Sequence, residues 1–130
     1  EKILGQKAHI TDSSFTINGA ESYRLAFTAD SVDEKTGKTG AVYYLFEKFD
    51  NAESAEKKYA SIRSSNENHE GFVTLHGIGD EAYYHSDGYN FYFIIVRKAE
   101  KMFTMKVNKI TSKTSFEEFN SIANKIAASL

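Results

Sequence analysis

The chain has 130 residues, of which 16 are Lys or Arg and 18 are Asp or Glu, and its formal net charge is -2. This length fits one domain, and a hydrophobic content of 41% with 14% aromatic residues is enough for one core, which excludes disorder as the main state. The near-neutral charge, without a long basic run, argues against nucleic acid as a partner, because phosphate binding needs clustered Lys and Arg.

The first predicted elements are two strands joined by a long loop. Glu21–Ala29 alternates apolar and polar side chains, which predicts a half-buried strand. Ser31–Gly40 contains Asp33 and two glycines and is typical of a solvated acidic loop. Ala41–Phe49 carries apolar side chains on both faces of a second strand. The simplest arrangement is an antiparallel hairpin with a long connection.

Capping-box patterns predict the starts of two helices. Asp50 and Glu53 have the spacing of such a box, and the apolar repeat behind them predicts a helix from about Asn51 to Ser64. Ser115 and Glu118 form a second box, in which we expect each residue to satisfy the backbone N–H of the other. The stripe behind it is expected to dock on the sheet: Phe116, Phe119, Ile122, Ala123, Ile126 and Leu130.

Four further strands are predicted between the helices. Asp87-Gly88 predicts a hairpin turn within this region. The third of these strands should lie near the sheet centre, because it is apolar on both faces. Its apolar run, Phe91–Val96, is far shorter than the ~20 residues that cross a membrane as a helix, so no membrane span is predicted. The strands are Phe72–His76, Glu81–His85, Tyr89–Lys98 and Met102–Ile110.

The element order predicts an α+β fold in one domain, residues 1–130, with an antiparallel sheet packed against helices. This order, together with Ile3-Leu4-Gly5 and the string Gly77–Tyr83 (GIGDEAY), resembles the PsbP/Mog1-like α/β/α sandwich domains of uncharacterised bacterial lipoproteins and secreted proteins. The resemblance implies an N-terminal helix that ends at Gly5 and is mostly truncated here. It also implies an export signal or a lipid-anchoring lipobox upstream of residue 1, and hence an extracytoplasmic location.

Candidate catalytic residues are few. The absence of Cys excludes disulfides, thiol nucleophiles and Cys-based metal centres. A small hydrolase or metal-binding enzyme would use His76 and His85 as base or ligands with Asp80 as their partner. Glu81 is the other nearby carboxylate, but an extended strand separates it from His85 by ~13 Å, too far for one metal shell. The glycine-rich turn accounts for Asp80 as a backbone-binding residue. We therefore predict no catalytic residue, metal or cofactor.

Tyrosines are the residues best suited to binding. Neighbouring tyrosines on a strand point to opposite faces, so some of them must be exposed, and an aromatic sheet face can stack a ligand or partner. The alternative interpretation is that these tyrosines are ordinary half-buried side chains of the sheet. The candidate binding residues are Tyr43, Tyr44, Tyr83, Tyr84 and Tyr92.

The predicted function is a non-catalytic extracytoplasmic binding or accessory domain of a bacterial envelope lipoprotein, which docks a protein or a small ligand. The small enzyme around His76, Asp80 and His85 is one alternative. An intracellular adaptor of the Mog1 type is another. The patterns do not determine the ligand, the partner or the oligomeric state.

Overall fold

The computed structural model of the chain describes residues 1–18 and 20–130. Seven strands form one antiparallel sheet in the spatial order β1-β2-β3-β7-β6-β5-β4. The elements in chain order are β1 (Ala8–Asn18), β2 (Ala20–Ala29), β3 (Ala41–Lys48), α1 (Ala52–Asn66), β4 (Phe72–Leu75), β5 (Glu81–Ser86), β6 (Phe91–Lys98), β7 (Lys101–Asn108) and α2 (Phe116–Ser129).

Strands β2 to β7 and both helices confirm the predicted elements, with small shifts at their ends. β1 was not predicted, because polar residues interrupt its alternation and the side chains of residues 9–17 are all exposed. It also contains an irregularity, since its register with β2 shifts between Ile10 and Asp12. Pairing with β2, rather than a local pattern, holds this strand in place.

The two helices pack on opposite faces of the sheet. On the face that carries α1, called the α1 face, Tyr59 packs with Tyr83 and Ile95. On the opposite face, the α2 face, a separate cluster includes Ile94 and Phe119. The neighbours Ile94 and Ile95 therefore belong to different cores, as alternation along β6 requires.

The predicted α+β fold, an α/β/α sandwich with the antiparallel sheet packed against helices, is wrong. The sheet dominates the fold, with 43% of the chain in strands and 23% in helices. The helices make their main contacts with β6 and β7, whereas β1 lies at the far edge of the sheet with exposed side chains. Because β1 and β2 extend the sheet beyond both helices, the described residues do not form full helical layers.

The caps differ in detail from the prediction. Asn51, not Asp50, caps α1, and its Oδ1 accepts a hydrogen bond from the Ser54 N–H at 2.8 Å. The Ser115 hydroxyl accepts from the Glu118 N–H at 3.2 Å, as predicted. The backbone N–H of Ser115, however, donates to the Ile3 carbonyl at 2.7 Å instead of to Glu118. This bond joins the N-terminal turn to the start of α2.

The N-terminal residues form a single turn where the end of a helix was expected. The Gly5 N–H donates to the Glu1 carbonyl at 2.9 Å, and Gly5 has a φ of +65°. A Cβ at this glycine would lie 2.3 Å from the Lys113 carbonyl oxygen, so the turn fits closely against the segment before α2. Ile3 and Leu4 are buried against the α2-face core.

Asp33 is buried in the loop that was predicted to be solvated, and only 1% of it is exposed. Its carboxylate accepts hydrogen bonds from the Ser112 N–H at 2.9 Å, the Ser112 hydroxyl at 2.8 Å and the Thr36 hydroxyl at 2.7 Å. These bonds, that from the Ser112 backbone above all, hold the pKa of Asp33 well below its usual range despite the opposing effect of burial. Asp33 therefore fastens the β2–β3 loop to the segment before α2.

Replacing Asp33 with Asn should lower the melting temperature at pH 7 by several degrees, because a charged acceptor of three hydrogen bonds is lost. The native pKa lies below the unfolded value of about 3.9. The stabilisation is therefore complete above about pH 5 and is lost as the pH falls through the native pKa. In thermal melts from neutral to acidic pH, the difference in melting temperature between wild type and Asp33→Asn should become smaller. Asp12→Asn, at an exposed position, is the control. A difference in melting temperature that does not change with pH would show that the ionised carboxylate of Asp33 is not the source of the stabilisation.

Candidate binding groove

An apolar groove opens on the α2 face between the helix and the strands beside it. Its volume is ≈ 360 Å³. β2, β3 and β7 form the floor, the flank of α2 forms one wall, and the N-terminal turn closes one end. The residues that line it are Glu1, Ile3, Leu4, Leu25, Phe27, Val42, Tyr44, Met105, Ile122 and Ile126.

The register of the strands builds the floor. Leu25 lies opposite Tyr44, and Phe27 lies opposite Val42, so that the side chains of each pair share one face. Val42 in turn lies opposite Val107 of β7 in the α2-face core. The floor is therefore continuous with that core, and its apolar character follows from the alternation of β2 and β3.

The flank of α2 builds the wall. The helix buries Phe119, Ala123 and Ala127 toward the sheet. Ile122 and Ile126, one turn apart, lie beside this row and are only partly buried. The apolar stripe of α2 is thus wider than its contact with the sheet, and the excess width faces the groove.

The groove suits uncharged apolar groups. Among the described residues that line it, Glu1 at the end is the one charged residue. Tyr44 contributes a hydroxyl whose pKa is raised, first by burial and then by the nearby Tyr23, so it stays neutral at physiological pH. With few polar groups in its lining, the groove fits an apolar ligand better than a charged one.

The five candidate tyrosines are divided among separate places. Tyr44 lines the groove, while Tyr43 is exposed on the α1 face. Tyr83 is fully buried beneath α1, where its hydroxyl accepts from Asn66 Nδ2 at 3.1 Å, so no ligand can reach it in this fold. Tyr84 and Tyr92 stack with ring centroids 5.4 Å apart and line a separate depression of ≈ 270 Å³ on the α2 face.

Two of the three residues of the alternative enzyme site, Asp80 and His85, have structural partners. Asp80 accepts from the Ala99 N–H at 2.7 Å and lies 3.5 Å from Nη1 of the buried Arg97. His85 is buried and its Nε2 donates to the Glu70 carbonyl at 3.2 Å, while His76 is exposed just after β4. Within residues 1–18 and 20–130, no group of three or more His, Cys, Asp or Glu side chains is placed to hold a metal ion.

Sequence reasoning identified Tyr44 but missed the aliphatic part of the groove. Leu25 and Phe27 were assigned to one face of β2, and Ile122 and Ile126 to the docking stripe of α2, without an open space between them. The available signal was the width of the α2 stripe, which exceeds what a single row of sheet contacts requires.

A scan against protein-family models, a search of curated proteins and a search of solved structures each gave no match for this chain. The resemblance to PsbP/Mog1-like domains therefore stays a prediction. In the part of the chain that the structure describes, no helix is both long enough and apolar enough to cross a membrane.

Proposed function

We propose that the chain is a non-catalytic binding domain whose groove on the α2 face accommodates the alkyl chain of a small amphiphilic molecule. The observation that carries the proposal is a concave space of ≈ 360 Å³ lined almost entirely by apolar side chains. This volume falls in the range of small-molecule sites. At about 30 Å³ per water-sized group, it has room for about a dozen non-hydrogen atoms, the size of a medium alkyl chain.

The energetics favour such a ligand. Burial of each methylene group contributes about 0.8 kcal/mol, so eight to ten buried methylenes contribute on the order of 6 to 8 kcal/mol. Taken alone, that range corresponds to a dissociation constant of roughly 1 to 50 µM, and the costs of association and of ordering a flexible chain weaken the binding from there. The groove is open along one side, so a polar head group can stay in water while the chain is buried.

Titration with dansyl-labelled undecanoate, a fluorescent alkyl probe, tests the proposal. Leu25→Arg places a charge in the floor of the groove and should weaken binding at least ~10-fold, because a buried unpaired charge is costly. Ile126→Phe removes space without adding charge and should also weaken it. Val32→Arg, at an exposed loop position, is the matched control and should bind like wild type.

Two results would count against the groove as the site. One is no binding of the probe at ~100 µM protein. The other is equal affinity in Leu25→Arg and Val32→Arg, provided that melting temperatures show both variants folded. Equal affinity would place the probe elsewhere on the molecule.

The accessory role on a bacterial envelope lipoprotein is the part of this proposal that rests on the resemblance carried by Ile3-Leu4-Gly5 and Gly77–Tyr83. We expect the native protein to fractionate with the cell envelope or the secreted material. Recovery in the cytoplasmic fraction would contradict that location and would favour the intracellular adaptor. It would leave the groove itself unaffected.

A further inference from the structure

β1 is an edge strand of 11 residues, with β2 as its single neighbour in the sheet. Along an edge strand, alternate residues direct their backbone N–H and C=O groups away from the sheet. Such a row of unpaired groups can add another strand. The residues that carry these groups in β1 can be identified from the hydrogen bonds of β2.

The orientation follows from one bond. The Ala29 N–H donates to the Gly40 carbonyl at 2.9 Å, so Ala29 directs its backbone groups toward β3. Alternation gives Leu25 and Tyr23 the same orientation. Their partners in β1, Ser13 and Phe15, therefore direct their N–H and C=O groups to the open edge. Ile17, two residues further along, has the same orientation.

The same residues expose apolar side chains. Phe15 is 61% exposed and Ile17 is 71% exposed, and both lie on the α2 face with Tyr23, the partner of Phe15. Free backbone groups and exposed apolar side chains thus coincide along one stretch of β1. An added strand could form hydrogen bonds with the backbone groups and cover the apolar side chains at the same time.

Several of the usual protections against pairing are absent from the stretch 13–17, and the register irregularity of β1 lies before that stretch, between Ile10 and Asp12. β1 contains no Lys, the chain contains no Pro, and Asp12 is the one charged residue in the stretch 12–18. The opposite edge strand, β4, has only four residues and offers a much shorter row of groups. The two edges therefore differ in their capacity to add a strand.

We propose that β1 pairs antiparallel with β1 of a second copy of this chain, in a register centred on Phe15, so that the two sheets become continuous. In this register Phe15 faces Phe15 of the other copy, and Ser13 faces Ile17. All three positions are those with outward backbone groups, so each facing pair exchanges N–H···O=C bonds. Asp12 does not face Asp12, so no like charges lie directly opposite each other.

The twofold symmetry of this register argues for a second copy, and the small buried area limits how strongly the two copies associate. The outward positions 13, 15 and 17 are symmetric about Phe15, so the stretch is complementary to itself, as a twofold interface requires. Two exposed apolar side chains and one strand pairing bury less than the ~800 Å² per partner of a standard stable interface. The dimer should therefore be weak and reversible, so that it is populated mainly at high protein concentration.

Sedimentation equilibrium from ~5 to ~500 µM tests the proposal, and wild type should show a monomer–dimer equilibrium. Ile17→Lys should weaken association at least ~10-fold, because charge at an edge opposes pairing. Because position 13 of one copy faces position 17 of the other, adding Ser13→Glu to Ile17→Lys sets opposite charges face to face and should restore most of the affinity. Val73→Lys, at an exposed position of the β4 edge, is the control and should associate like wild type.

Three outcomes would overturn the inference. They are a wild-type protein that stays monomeric at ~500 µM, an Ile17→Lys variant that associates like wild type, and a double variant that associates no better than Ile17→Lys. The last would show a non-specific apolar contact rather than this register. This inference depends on β1 and not on the groove. Binding of the alkyl probe therefore tests one proposal, and sedimentation equilibrium tests the other.

Discussion

Replacing Phe119 with Ala should lower the free energy of unfolding by about 3 to 5 kcal/mol, a large part of the 5 to 15 kcal/mol typical of a domain. Phe119 is fully buried and its ring packs edge-on against Tyr92, with centroids 4.8 Å apart. It joins α2 to the α2-face core, which includes Ile94 and Phe103. Truncation would leave a cavity between the helix and the sheet. Urea denaturation measures the loss.

Phe116→Ala is the matched control, because Phe116 lies in the same helix and also contacts Tyr92 but is 41% exposed. Phe116→Ala should lower the free energy of unfolding by about 1 kcal/mol or less. Equal losses in the two variants would show that burial against the sheet does not explain the role of Phe119. If Phe119→Ala does not fold, Phe119→Leu can replace it, because we expect this variant to lose only about 1.5 kcal/mol of the free energy of unfolding. Its loss can then be compared with that of Phe116→Ala.

Replacing Gly71 with Ala should destabilise the fold more than the same change at Gly77, by about 2 kcal/mol or more. Both glycines have positive φ, +87° and +79°. A Cβ at Gly71 would lie 1.9 Å from the Ser86 carbonyl oxygen, whereas a Cβ at Gly77 would meet no atom within 4 Å. The Ser86 N–H also donates to the Gly71 carbonyl at 3.3 Å, so neither backbone can move away without breaking that bond.

The comparison separates two costs. A left-handed conformation costs about 1 to 2 kcal/mol for alanine, and both variants incur it. The additional loss at Gly71 measures the steric conflict alone. Equal free energies of unfolding in the two variants would show that the β4–β5 edge relaxes freely around Gly71.

Turns and helix ends could be predicted from sequence because their chemistry is local. Desolvation alone would raise the pKa of Asp87, but hydrogen bonds from the backbone N–H groups of Asn90, Tyr89 and Phe91 outweigh it and lower the pKa to about 2. The aspartate thereby holds the β5–β6 turn through residues at most four positions away. The Ser115 cap of α2 is equally local.

Contacts between distant segments could not be predicted in this way. Asp33 was assigned to a solvated loop because nothing near it in sequence indicates Ser112, which lies 79 positions away. The capping box of α2 was half wrong for the same reason, since the Ser115 N–H donates to Ile3. In both cases the sequence shows the polar group but not the distant residue to which it bonds.

The sequence by itself determined strands β2 to β7, both helices, and which side of each element is apolar, because these follow from periodicity and turn chemistry within short windows. The tertiary structure alone decided that β1 is a strand, that Tyr83 is buried and Tyr44 is partly open, and that the flank of α2 borders a groove. Periodicity shows that a surface is apolar but not which other element covers it. That depends on strand order and on helix position, which are properties of the whole chain.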